Sequence, residues 1–169
     1  MLSKRTWIGT ALMLMCSAQL ALAEKPVERG RYLVSVIGCG DCHTPGSLAG
    51  QPDVSKALSG SEIGFAGPPP APGVSGGVVY PSNLTSDKET GLGAWSDAEI
   101  LRALREGKSR DGRPLAPVMP WPNYVHLTES DAQAIVAYLR SLAPIKHAVP
   151  APVPPGQKAS HPYLQLVQP

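Results

Sequence analysis

The chain has 169 residues, with 15 basic side chains against 13 acidic ones and a formal net charge of +2. This length suits one domain with additional segments. So small a net charge gives no indication of a nucleic acid or an anionic membrane surface as a partner.

The first 23 residues have the pattern of a secretory signal peptide. Lys4 and Arg5 form a positive start, an apolar run follows from Trp7 to Leu14, and Ala21-Leu22-Ala23 is a small-x-small cleavage site. We therefore expect residues 1–23 to be removed after Ala23 and the remainder to be exported to the periplasm. An uncleaved membrane anchor is the alternative.

Removal of this segment changes the charge and the cysteine count. The remaining chain has 13 basic and 13 acidic side chains, and its only cysteines are Cys39 and Cys42, because Cys16 leaves with the signal. Both belong to one motif, so no structural disulfide is expected. Small secreted domains commonly need such a crosslink, and a covalently held apolar group would serve instead.

The first element after the signal is a short amphipathic helix. Apolar residues recur at helical spacing and Pro26 suits a first-turn position, which predicts a helix over about 26–37. The residues of its apolar face are Val27, Gly30, Leu33, Val34 and Ile37.

This helix leads directly into Cys39-Gly40-Asp41-Cys42-His43, a C-x-x-C-H motif. The spacing is typical of haem c attachment, in which two thiols add to the porphyrin vinyl groups and the histidine becomes the proximal iron ligand. A redox dithiol would need a βαβ context and a zinc site a second Cys/His pair. The sequence offers neither, so we predict covalent haem at Cys39 and Cys42 with iron bound by His43.

Residues 44–82 contain many glycines and prolines and have no helical period, which predicts a loop along one side of the haem. Val78 to Tyr80 could form one short strand. Beyond it, Ser96 and Glu99 form a capping box that opens a second helix, and Gly107 is its expected end.

A basic run overlaps the end of this helix and leaves two interpretations open. The bland interpretation is a solvated helix face and loop. The sharper one is a haem-propionate contact or a docking patch for an acidic partner. The basic residues are Arg102, Arg105, Lys108, Arg110 and Arg113.

Met119 is the only methionine that remains after signal removal. It lies between prolines in residues 115–124, which predicts a stiff, non-helical loop. A methionine usually fills a core, but after a haem motif we predict Met119 as the distal iron ligand. His126, His147 and His161 remain alternatives, with His126 foremost.

The last predicted helix begins after Thr128, a favourable N-cap, with acidic residues in its first turn. It ends before Pro144. Residues 146–169 contain six prolines and no period, so we expect an extended, partly disordered tail. The residues of the buried helix face are Ile135, Val136, Leu139 and Leu142, with Tyr138 alongside.

Taken together, the C-x-x-C-H motif, the helices and the Met119 loop resemble class I c-type cytochromes over roughly residues 26–144. The resemblance implies a small all-α cytochrome c fold of three or more helices around one haem, with the domain spanning residues 24–145. It also implies that Gly30 on the first helix meets Tyr138 on the last.

A narrower resemblance is to one domain of the multihaem cytochrome subunits of membrane-bound alcohol, aldehyde and gluconate dehydrogenases. It rests on Arg29–Leu33, Asn83–Thr85, Thr90–Gly93, Trp95 and Met119–Tyr124. In that family Asn83 and Trp95 lie in the haem surroundings.

The resemblance implies an electron-transfer protein rather than an enzyme. We expect a periplasmic monohaem carrier between a respiratory dehydrogenase and an oxidase or other acceptor. The alternatives are a cytochrome subunit of a membrane-bound dehydrogenase complex, or a haem peroxidase or ligand sensor. Either of the last two would need an open iron position.

Overall fold

A computed structural model of the chain describes residues 25–68 and 76–167. The predicted signal peptide and Pro69-Pro70 of the Gly/Pro-rich loop lie outside the described residues. Within the described part the order of elements is helices α1 and α2, strands β1 and β2, helices α3 to α5, and strand β3. Their bounds are α1 Pro26–Ile37, α2 Cys39–His43, β1 Gly64–Ala66, β2 Val78–Val79, α3 Asp97–Glu106, α4 Trp121–Tyr124, α5 Glu129–Ser141 and β3 Tyr163–Leu164.

Helix α1 has the predicted bounds, and its packing on α5 is the most extensive contact between elements. Leu33 and Val34 of α1 are buried, as are Ile135, Val136 and Leu139 of α5. Apolar residues of α3 complete this core from the side. The buried core therefore lies between the first and last helices, next to the C-x-x-C-H motif.

Gly30 is the point at which α1 and α5 approach most closely. A Cβ atom at this position would lie 1.9 Å from the backbone oxygen of Ala134 and 2.8 Å from Cβ of Tyr138. Only a residue without a side chain allows this approach. The expected contact between Gly30 and Tyr138 is thus confirmed.

Helix α3 begins and ends as its sequence predicts. Ser96 accepts a hydrogen bond from the Glu99 amide while the Glu99 side chain accepts one from the Ser96 amide, and Gly107 ends the helix with a left-handed φ of 63°. Helix α5 begins after Thr128, whose side chain accepts a hydrogen bond from the Asp131 amide. Capping thus fixes both helix starts independently of the core.

A short helix, α4, interrupts the loop that we expected to be non-helical throughout. Residues Trp121–Tyr124 form one helical turn, with Pro122 in its first turn. Proline suits this position because its missing N–H has no intrahelical partner there. The expectation of a stiff loop therefore applies only up to Pro120.

The described part also contains a small sheet, which adds to the expected all-α architecture. Its order is β2-β1-β3, with β1 antiparallel to β2 and parallel to β3. Strand β2 lies in the stretch where the sequence allowed one strand. The sheet joins the Gly/Pro-rich loop to the end of the described chain.

The segment after α5 is extended but not free of the domain, which corrects the expectation of a partly disordered tail. Val78 and Val153 exchange backbone hydrogen bonds of 2.9 and 2.8 Å, and Tyr163–Leu164 pairs with β1. Prolines prevent helix formation here, but the backbone groups between them pair with the domain. None of the helices in the described residues combines the length and apolar character needed to cross a bilayer.

We predict that Gly30→Ala destabilises the protein by about 2–3 kcal/mol, because the added methyl group forces the two helices apart. Urea unfolding measures this cost. Ser35→Ala is the matched control, since Ser35 is exposed on the same helix. A Gly30→Ala protein as stable as this control would contradict the packing described.

A second prediction concerns Asp131, whose pKa is lowered by hydrogen bonds from Arg29 on α1, at 2.9 Å, and from Thr128. A group with a depressed folded pKa contributes stability above its unfolded pKa of about 4 and loses that contribution as the pH falls further. Asp131→Asn should therefore lower the free energy of unfolding modestly at pH 7. The difference from wild type should shrink below about pH 4, and a difference that persists at pH 2 would contradict this origin.

Candidate haem-attachment site

The C-x-x-C-H motif forms its own short helix, α2, directly after α1. Gly38 separates the two helices with a left-handed φ of 79°, so the chain changes direction immediately before Cys39. Within α2, Cys39 and Cys42 are three residues apart, which places both thiols on one helix face. Both are free and half-buried.

The protonation of these thiols argues against a redox dithiol. Burial raises the pKa of Cys39 to about 11 and also raises that of Cys42. Reactive dithiols have the opposite property, a pKa lowered toward or below 7. A thioether sulfur carries no charge, so the same apolar surroundings suit thiols that are converted to thioethers.

His43, the predicted proximal ligand, is oriented by one hydrogen bond. Its Nδ1 lies 2.7 Å from the backbone oxygen of Ser82. A carbonyl oxygen can only accept, so Nδ1 carries the proton and Nε2 has the free lone pair. Burial lowers the pKa of His43, which favours the neutral imidazole that a metal ligand must be.

The carbonyl of Ser82 is itself held by the pairing of two chain segments. Residues 58–61 and 81–84 run alongside each other, and the side chain of Thr44 anchors the first of them. The position of Ser82 is therefore fixed on both sides by its neighbours. The hydrogen bonds are Gly60 N to His43 O (2.8 Å), Ser61 N to Pro81 O (3.0 Å), Leu84 N to Leu58 O (2.8 Å) and Leu58 N to Thr44 Oγ1 (3.1 Å).

Asn83, predicted to lie in the haem surroundings, is adjacent to this carbonyl and only 1 % exposed. Its Nδ2 donates to Thr90 Oγ1 at 3.0 Å and to the Ile145 oxygen at 2.7 Å, while its Oδ1 accepts from Thr85. The side chain thus binds the segment after α5. Its connection to His43 passes through the backbone of Ser82.

Trp95 packs against the core just before α3 and is half-buried. Its backbone oxygen accepts a hydrogen bond from Arg140 of α5. Trp95 also lines an open cleft of about 450 Å³ with charged residues of both signs. The other residues lining this cleft are Glu99, Ser109, Arg110, Asp111 and Arg113.

The basic run is largely neutralised within the protein, which favours the bland interpretation of that segment. Arg105 pairs with Glu129 at 2.5 Å and Arg110 with Glu99 at 3.5 Å. Arg102 donates to backbone oxygens of the turn that follows α3. These side chains therefore support the fold around α3.

Met119, the predicted distal ligand, is half-buried in a turn between Pro117 and α4. Its amide donates to the Ala116 oxygen at 3.1 Å, and its oxygen accepts from the Trp121 amide at 2.7 Å. The backbone of Met119 is therefore hydrogen-bonded on both sides, and its side chain extends from a short, well-defined turn.

Tyr124 at the end of α4 connects this turn to the attachment motif. Burial raises the pKa of its phenol to about 12, and the nearby Cys39 and Cys42 add to the increase. Tyr124 and Cys39 also pack against the same hydrophobic core. The chain just after Met119 and the start of the C-x-x-C-H helix therefore meet at this core.

The three histidines that rival Met119 are placed differently. Both ring nitrogens of His147 are engaged, Nδ1 with the Ser59 oxygen at 2.8 Å and Nε2 with Glu62 at 2.6 Å. His161 packs edge-on against Tyr80, and His126 is exposed in the turn before α5. His147 therefore has no free nitrogen to offer a metal.

The donor set fits a covalently bound haem. It combines two thiols on one helix face, a neutral imidazole with Nε2 free of protein partners among the described residues, and one thioether on a fixed turn. Half-buried apolar side chains pack, like Cys39, against the hydrophobic core. They include Ile37, Leu84, Tyr124 and Leu127.

Sequence reasoning missed the residues that support His43. The acceptor at Ser82 is a backbone carbonyl, which every residue has, so no sequence pattern identifies it. The same holds for the Ile145 and Ser59 oxygens. Thr44, Thr85 and Glu62 do act through their side chains, but residues of these types are common in ordinary domains.

Comparison with known proteins gives one consistent result. The family model for cytochrome c matches residues 27–143. A nicotinate dehydrogenase component from Pseudomonas putida is 40% identical over 125 residues, which is 74% of this chain and 9% of the relative.

Two named cytochrome subunits are similar over comparable ranges. The fructose dehydrogenase cytochrome subunit of Gluconobacter japonicus is 33% identical over 79% of this chain, and the alcohol dehydrogenase (quinone) cytochrome c subunit of Gluconacetobacter polyoxogenes is 34% identical over 77%. The chain spans 24% of each of these two relatives. With the family match covering α1 through α5, the chain belongs to the cytochrome c family.

Proposed function

We propose that the chain is a one-electron carrier that holds a single haem c, attached through Cys39 and Cys42. The observation that carries this proposal is the half-buried C-x-x-C-H helix with His43 oriented by Ser82, within a chain of the cytochrome c family. The sequence contains one such motif, which supports one haem. When bound, haem c supplies a one-electron Fe(III)/Fe(II) couple.

The protein residues in this proposal have separate tasks. Cys39 and Cys42 would hold the group covalently, and His43 would present Nε2 to the iron because its Nδ1–H donates a hydrogen bond to the Ser82 oxygen. Met119 would supply the second protein ligand to the iron. A thioether ligand favours the reduced iron and so would raise the potential.

The Met119 assignment predicts a specific spectroscopic loss. Met119→Ala should abolish the sulfur-to-iron charge-transfer band of the ferric protein and lower the midpoint potential, because the soft thioether that favours ferrous iron is lost and a harder ligand such as water takes its place. Optical absorption of the oxidised protein measures the band.

His126→Ala is the matched control, since His126 is an exposed histidine close to Met119 in sequence. It should retain both the band and the potential. If the band survives Met119→Ala, or is lost in His126→Ala, the distal assignment is wrong.

We further propose that the chain acts as the cytochrome component of a dehydrogenase complex in the periplasm. Its similarity to the cytochrome subunits of fructose and alcohol dehydrogenases supports this role. The signal-like residues 1–23 support export. In this role the chain would accept electrons from a dehydrogenase subunit and deliver them to a respiratory acceptor, such as an oxidase.

A complex of this kind predicts co-purification. Protein isolated at native expression level should elute with a dehydrogenase at a mass well above 17.7 kDa. Addition of that dehydrogenase's substrate should reduce the haem in the isolated fraction. The variant with Cys39→Ala and Cys42→Ala is the control, because covalent haem attachment is lost.

A second outcome would contradict the proposed complex. If the haem protein elutes alone and is not reduced by alcohol, gluconate, fructose or nicotinate in the presence of the cell's dehydrogenases, it is a free carrier. The complex would then be excluded while the haem assignment stands.

A further inference from the structure

Residues 145–147, directly after the last helix, hold the part of the chain that orients His43. We infer that this segment positions the Ser82 carbonyl against His43 and so sets the reduction potential of the haem. The inference requires haem at the C-x-x-C-H motif but is independent of the redox partner. The segment acts on His43 through Ser82, so its role is positioning.

The first set of hydrogen bonds made by this segment is with residues 83–85. Asn83 donates to the Ile145 oxygen at 2.7 Å, and Thr85 Oγ1 accepts from the Ile145 amide at 3.2 Å. Asn83 and Thr85 are each 1 % exposed, so water cannot replace these bonds easily. The residue next to Ser82 is thereby tied to the chain beyond α5.

The second set of hydrogen bonds joins His147 to residues 59–62. Nδ1 lies 2.8 Å from the Ser59 oxygen and Nε2 lies 2.6 Å from a carboxylate oxygen of Glu62. The ring of His147 therefore bridges a backbone oxygen and a carboxylate. Although burial opposes it, hydrogen bonding to the backbone and to His147 leaves the pKa of Glu62 below its usual value.

These two sets of hydrogen bonds involve the two segments that pair with each other around Ser82, residues 58–61 and 81–84. Ser61 N bonds to the Pro81 oxygen and Leu84 N to the Leu58 oxygen, one on each side of Ser82. Residues 145–147 thus fasten both partners of this pairing. If the hydrogen bonds of His147 are lost, residues 59–62 become less constrained. The pairing that positions the Ser82 carbonyl is then weakened.

The direction in which the reduction potential should change follows from the hydrogen bond of His43. A hydrogen bond from Nδ1 to a carbonyl makes the imidazole a more basic ligand, which stabilises ferric iron. A looser Ser82 carbonyl weakens this bond, so the potential should rise. Loss of simple shielding would act in the opposite direction, because greater exposure of the haem to water favours the charged ferric site.

The test measures the midpoint potential and the solvent exchange of the His43 Nδ1 proton by NMR in the haem-loaded full chain. For His147→Ala we expect the ferrous-to-ferric ratio at a fixed ambient potential to rise by about tenfold, the low end for loss of such outer support. This corresponds to about 59 mV for a one-electron couple. Exchange of the Nδ1 proton should accelerate.

His147→Asn should recover much of the wild-type potential, because its amide can still donate to Ser59. His161→Ala is the matched control, a histidine further along the chain after α5 that contacts Tyr80 rather than residues 59–62. It should leave the potential and the exchange rate unchanged.

A lower potential in His147→Ala would mean that the segment only shields the haem, and would overturn the inference. Unchanged potential and exchange would overturn it as well. If His147→Ala fails to fold, Glu62→Gln provides the milder test. It removes only the charge of the partner, and we expect a smaller rise of the potential with faster Nδ1 exchange.

Discussion

The hydrogen bond between His43 Nδ1 and the Ser82 oxygen is the interaction on which the proposed site depends. At 2.7 Å it assigns the proton to Nδ1 and leaves Nε2 as a lone-pair donor. Burial lowers the pKa of the same imidazole, so the ring remains neutral. Tautomer and charge therefore both suit a metal ligand through features of the fold alone.

This bond explains why distant parts of the chain are needed at the site. The Ser82 carbonyl is fixed by its pairing with residues 58–61, and Thr44, the residue after His43, anchors that pairing through Leu58. Residues 145–147 fasten it from the other end of the domain. The packing of α1 on α5 at Gly30 in turn sets where the chain enters α2 and where it leaves toward residue 145.

Much of this arrangement could be predicted from sequence because the signals are local. The apolar period gave α1 its bounds, and Ser96, Glu99 and Gly107 gave those of α3. The contact between Gly30 and Tyr138 could be predicted from the resemblance to class I cytochromes c, because it requires only a residue without a side chain where the two helices cross. The spacing of C-x-x-C-H identified the candidate site itself.

The remainder could not be predicted because it depends on backbone groups or on long-range pairing. Strand β3 consists of two residues that pair with β1 almost 100 positions earlier, and nothing local distinguishes them from a disordered tail. The turn Trp121–Tyr124 is helical despite Pro122, because proline is tolerated at a helix start. The sequence leaves His147 as a candidate iron ligand, whereas in the structure its two ring nitrogens contact Ser59 and Glu62.

In our proposal Cys39, Cys42 and His43 form the attachment site of one haem c. The most direct measurement is the mass of the intact, denatured protein after expression with a cytochrome c maturation system, together with its pyridine haemochrome spectrum. We expect a polypeptide carrying one haem that acidic organic solvent does not extract, with the spectrum of a haem bound by two thioethers. A polypeptide mass without haem, or haem that the solvent removes, would contradict it.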